Sequence, residues 1–174
     1  MTALDQPSWR QRAGNRVRRA VPSTVAALLG ALLWAVAMGA SALTGLWLDN
    51  WETPEKIRFV VLLYAMGAAL AFPFGLFAAR LLSLGRPSEV AFAAAFICLL
   101  AATLAFTGGL FALQYRSYYA EWHAEAFTVL WAFELVFTSL TALYQFVVLG
   151  VRLYFPLGFI ALAVASVWFA HQQR

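Results

Sequence analysis

Residues 59–79 read FVVLLYAMGAALAFPFGLFAA, a run without one charged side chain. At 1.5 Å rise per residue, about 20 apolar residues cover the roughly 30 Å hydrocarbon core of a bilayer. This run is therefore long enough to cross a membrane as a helix. Stretches 20–48, 90–115 and 153–173 also lack acidic, Lys and Arg side chains, and 126–151 carries only Glu134. The chain reads as an all-α, polytopic transmembrane helical bundle of five spans, at 22–48, 57–79, 89–113, 125–149 and 153–171. A four-span alternative treats 118–149 as a tilted or re-entrant segment. The tight point is Leu149-Gly150-Val151-Arg152, which must close an antiparallel helix pair in about four residues. Gly150 suits a helix C-terminal cap, and Pro156 is tolerated in the first turn that follows.

Composition agrees, because 63% of residues are hydrophobic and 11% charged, against about 25% charged in a soluble domain. Subtracting the spans leaves a basic tail, 1–19, and short loops, so residues 20–174 form one transmembrane domain. Ala40-Ser41-Ala42 loosely fits a signal-peptide cleavage site, but apolar character continues through Leu48, which argues for a retained span.

The net charge of +4 comes from eleven arginines and one lysine. Arg10, Arg12, Arg16, Arg18 and Arg19 crowd the tail and abut the first span, a topological signal rather than a folded surface for nucleic acid. With the tail cytoplasmic, Arg80, Arg86 and Arg152 fall inside, while Lys56, Arg58, Arg116 and Arg174 fall outside. The bias places the N-terminus in the cytoplasm and the C-terminus outside. Trp47, Trp51, Tyr115, Tyr118, Tyr119, Trp122 and Trp168 then form an external aromatic belt. Arginine used in preference to lysine, with abundant Ala and Gly, points to a GC-rich bacterial genome and hence to a bacterial inner membrane.

Two spans carry small residues at helical spacing. Gly67, Ala71, Gly75 and Ala79 recur every fourth residue. Ala91, Ala95, Cys98, Ala102, Ala105, Gly109 and Ala112 alternate in steps of four and three. Such faces let helix backbones approach closely, and the expectation is that the two meet or that they serve an oligomer. Pro73 should bend the second span.

The fourth span has a polar face. Phe127, Trp131, Glu134, Thr138, Thr141 and Gln145 follow helical steps, and the stripe continues past Val148 to Arg152. Polar groups at membrane depth face protein or water. One reading makes the stripe glue, with Glu134 bonded to Thr103 or Thr107. A second docks it on another membrane protein, and a third makes it a proton or cation path in a small transporter or channel.

Catalytic signatures are absent: no H-E-x-x-H, C-x-x-C, nucleotide-binding glycine loop or G-x-S-x-G occurs. His123 and His171 both fall at the outer interface on the five-span reading, which excludes a bis-histidine haem. Glu121, His123 and Glu125 do not share a helix face and make a poor metal set. Cys98 stands alone in the third span and reads as a packing residue. No cofactor or metal is expected. The expectation is a non-enzymatic subunit whose partners are the lipid bilayer and other membrane proteins or itself.

Overall fold

The computed structural model describes residues 9–50 and 53–172. Among these residues six α-helices carry the fold: α1 Trp9–Ala20, α2 Thr24–Asp49, α3 Pro54–Ser83, α4 Ser88–Tyr119, α5 Val129–Gln145 and α6 Leu157–Gln172. No strand occurs among the described residues. The expected all-α bundle is what forms, and it has four to five spans. α2, α3, α4 and the segment Val129–Tyr154 are long and apolar enough to cross a membrane, while Leu157–Gln172 is shorter. The chain is a multi-pass membrane protein. Leu28, Leu29, Leu32, Leu33 and Val36 of α2 are all exposed, as lipid-facing positions should be.

Helix ends follow local chemistry. Ser23 caps α2 by accepting from the Ala26 amide at 3.3 Å. α2 stops at Asn50, a left-handed residue (φ 47°), a conformation that Asn tolerates better than most side chains. Pro54 opens α3 at a position where its missing amide costs nothing. Gly85 (φ +71°) turns the chain toward α4. Pro73 lies inside α3, which stays continuous through it.

α3 and α4 form the central antiparallel pair, with Gly67 against Thr107 and Gly75 against Leu99. Ala68, Ala71, Ala79, Ala91 and Ala95 are completely buried. α2 packs on the other side of α3, where the Phe72 ring lies against Gly30 and sits 6.1 Å from Trp34.

The last third of the chain departs from the expected antiparallel pair. α5 begins beside the end of α4, where Arg116 lies over Trp131. It descends until Phe146 reaches Gly108. The helix then loosens into a π turn, Phe146–Gly150, and a 3-10 turn, Val151–Tyr154. These turns carry the chain sideways onto α2, where Leu153 fills the notch at Gly45. α6 leaves from beside Met38 and Ser41 and continues downward to a groove that His171 shares with Ser88, Glu89 and Phe92. α5 and α6 thus run in the same direction along the bundle.

Two expectations are corrected by this path. Arg152 does not lie at the end of the bundle that carries the arginine tail; it pairs with Asp49, 3.3 Å away at the end of α2. The end of α6 lies beside Ser88 at the start of α4, so it shares an end of the bundle with α1 and the 84–87 turn. The physical reason is the break. The backbone groups freed at the break find hydroxyl partners inside the bundle, Tyr64 for Gly150 and Ser41 for Leu153 and Gly158, which holds the chain on the sideways path.

Candidate functional site

Polar side chains gather in two places. The first surrounds the break between α5 and α6. Tyr64 Oη donates to the Gly150 carbonyl at 2.7 Å. Ser41 Oγ donates to the Leu153 carbonyl at 2.9 Å and accepts from the Gly158 amide at 3.0 Å. Ser41 is therefore the N-terminal cap of α6, supplied from a different helix. Gly150 does not take the left-handed form expected of a C-terminal cap; its φ is −74°. It is needed because a Cβ there would lie 2.8 Å from Tyr64 Oη and 2.7 Å from Phe146 Cδ2. Nearby, Trp34 Nε1 donates to Thr103 Oγ1 at 2.9 Å, and Thr103 donates to the Leu99 carbonyl. A cavity of 10 Å³ lined by Trp34, Met38, Thr103, Tyr154 and Leu162 adjoins this cluster. That is about the volume one water needs, and too small for an organic substrate.

The second place is the polar face of α5, which divides into three environments. Glu134 and Thr138 are covered by the 120–128 connection. The Ala124 amide donates to Glu134 Oε2 at 2.8 Å. Thr138 Oγ1 donates to the Glu134 carbonyl at 2.6 Å and lies 3.2 Å from His123 Nε2. With its proton spent on that carbonyl, Thr138 is left to accept from the imidazole N–H. Thr103 and Thr107 are not the partners of Glu134: the first accepts the Trp34 indole, and the second packs on Gly67. Phe127 does not extend the stripe either. It precedes the cap residue Thr128 and holds a left-handed backbone (φ 69°). Lower on α5, Thr141 lies exposed and Gln145 half-buried, beside Tyr144, which is 68% exposed. Their side chains make no hydrogen bond within the described residues. Arg152, past the π turn, belongs to the Asp49 ion pair.

An amide N–H needs an acceptor, which either a carboxylate or a carboxamide supplies. Glu134→Gln should therefore leave the 120–128 connection in place. Glu134→Leu should release it, raising amide hydrogen exchange across 123–128 several-fold while α3 and α4 stay protected. Equal exchange in the two variants would show that the carboxylate does not hold this segment.

The small-residue positions are mostly spent inside the chain. Gly67, Ala71, Gly75 and Ala79 of α3 and Ala91 and Ala95 of α4 are buried. Ala102 is only half-buried, and a Cβ added at Gly109 would meet nothing within 4 Å. No group of three or more His, Cys, Asp or Glu side chains placed to hold a metal occurs among the described residues. The sequence reading missed Ser41 and Tyr64. A single hydroxyl within an apolar run gives no signal of its own, because its role is fixed by a backbone group 86 or 112 residues away. Comparison with protein-family models, with curated proteins and with solved structures finds no match.

Proposed function

We propose that this chain is a non-enzymatic bacterial inner-membrane protein, its N-terminus in the cytoplasm, that serves as an accessory or structural subunit by packing against another membrane helix through the outer face of α5. The observation that carries this reading is the α5 surface itself. Only 11% of the apolar window in Val129–Tyr154 is buried, against 28–44% for the other three long segments. Yet Thr141, Tyr144 and Gln145 lie there without hydrogen-bond partners among the described residues. Hydroxyl and amide groups facing lipid are costly, and a neighbouring helix would satisfy them. Because the small-residue faces of α3 and α4 are occupied within the chain, α5 is the better docking surface.

The transport reading fares worse. Glu134 and Thr138 are bonded to the 120–128 connection, Thr141 lies on the outer surface, and Arg152 is paired across the bundle with Asp49. These residues do not line one path. The N-terminus-inside assignment rests on charge: α1, Arg80 and Arg86 cluster at one end, Lys56, Arg58, Arg116 and Arg152 toward the other.

A photo-crosslinking residue placed at Tyr144 should give a discrete protein adduct in native membranes, whereas one at Leu32 on the outer face of α2 should give lipid adducts alone. Interhelical hydrogen bonds in membranes average about 0.6 kcal/mol each. Replacing Thr141, Tyr144 and Gln145 by Leu, Phe and Leu should then weaken the complex roughly twentyfold without altering the stability of the isolated chain. Lipid adducts alone at both positions would sink the proposal.

A further inference from the structure

Positive charge collects at one end of the bundle, on a helix that is held in place. α1 reads WRQRAGNRVRRA and contains no acidic residue. It packs on α3, its last residue Ala20 is completely buried, and Arg80 Nη1 donates to the Val21 carbonyl at 3.5 Å. Val21, Pro22 and Ser23 then lead directly into α2 at Thr24. The short link fixes α1 where the apolar run of α2 begins, at the depth of lipid headgroups. Arg16, Arg18 and Arg19 on α1 are exposed, as is Arg86 in the α3–α4 turn at the same end. No described carboxylate pairs with these four; Glu89 at this end accepts from Ser88 instead, at 3.3 Å. Trp9, at the far end of α1, is 74% exposed and is of a type that favours the membrane interface.

From these observations we infer that α1 is a docking surface for anionic phospholipid headgroups, with Arg16, Arg18 and Arg19 contacting the phosphates. Guanidinium groups match phosphate oxygens in paired hydrogen bonds. Each arginine brought to an anionic surface strengthens binding about fivefold. The helix is already tethered by α2 and α3, so the contact adds little ordering cost and its strength goes into fixing α1 on the membrane.

The full chain, reconstituted in nanodiscs of phosphatidylcholine alone or of a phosphatidylcholine and phosphatidylglycerol mixture, tests this by amide hydrogen exchange. Residues 9–20 should exchange up to about a hundredfold more slowly in the anionic discs, and the difference should shrink as salt is raised. Replacing Arg16, Arg18 and Arg19 together by Gln should abolish it, and replacing them by Lys should largely keep it. Unchanged protection in α3 and α4 shows that each variant folds. Equal exchange in the two lipids, or a difference that survives the Gln substitutions, would overturn the assignment; so would protection that appears only when nucleic acid or a protein is added.

Discussion

Gly67→Ala should destabilise the bundle by about 1–3 kcal/mol, whereas Gly109→Ala should be neutral or slightly stabilising. Both glycines belong to small-residue stripes that look alike in the sequence. A Cβ at Gly67 would lie 2.7 Å from Thr107 Cα and 2.9 Å from Thr107 Cβ, besides meeting its hydroxyl. The first of these is backbone, so the clash is relieved only by moving α3 and α4 apart. That separation weakens the contact through which Ala68 and Ala71 are completely buried. Gly75→Ala should fall between, because its Cβ would stand 3.0 Å from a Leu99 methyl and 3.1 Å from Leu99 Cα. At Gly109 nothing lies within 4 Å, and alanine removes some of the backbone freedom that glycine loses on folding. Unfolding in mild detergent by heat or by added SDS would rank the three variants. Equal loss at Gly67 and Gly109 would mean that α3 and α4 do not meet as described.

What the sequence disclosed depended on how local the cause was. An uncharged run such as 59–79 dictates a membrane helix whatever surrounds it, and the four-residue spacing of Gly67, Ala71, Gly75 and Ala79 marks one face of that helix. Glu134 was conspicuous for the same local reason, yet its environment was not legible. Phe127 looks like part of a helical stripe, but its left-handed backbone ends the regular pattern there. This returns the Ala124 amide to Glu134, ten residues on. The expected donor Thr103 is instead claimed by Trp34, 69 positions earlier.

The direction of α6 was still harder to read. Residues 125–149 and 153–171 are each apolar enough to pass for a separate span, and hydropathy does not tell a reversal from a sideways step. The outcome depends on where the freed carbonyls and amides at the break find partners. Those partners are single hydroxyls on α2 and α3, invisible to any window along the chain. The pairing of Arg152 with Asp49 has the same origin, since both residues are brought together by the step and not by their spacing.

Ser41→Ala tests that dependence, and its effect should be large for the loss of one oxygen atom. Ser41 Oγ serves two backbone groups at once, the Leu153 carbonyl and the Gly158 amide. Alanine leaves both buried without their partner, at roughly 1–3 kcal/mol for each stranded group. Ser166→Ala provides the matched control. Ser166 is completely buried like its counterpart, but its hydroxyl donates to the Leu162 carbonyl one turn back within α6. That carbonyl keeps its helical partner when the hydroxyl is removed, so this variant should stay close to the parent in stability. Loss of the Ser41 cap should also free the first turn of α6, raising exchange at the Gly158 amide well before the rest of the helix opens. Tyr64→Phe, which removes only one hydroxyl donor from the Gly150 carbonyl, should cost less than half as much as Ser41→Ala. If Ser41→Ala and Ser166→Ala unfold together with the parent chain, the two half-helices are held by packing alone, and the hydroxyl clasp has no part in directing α6 down the bundle.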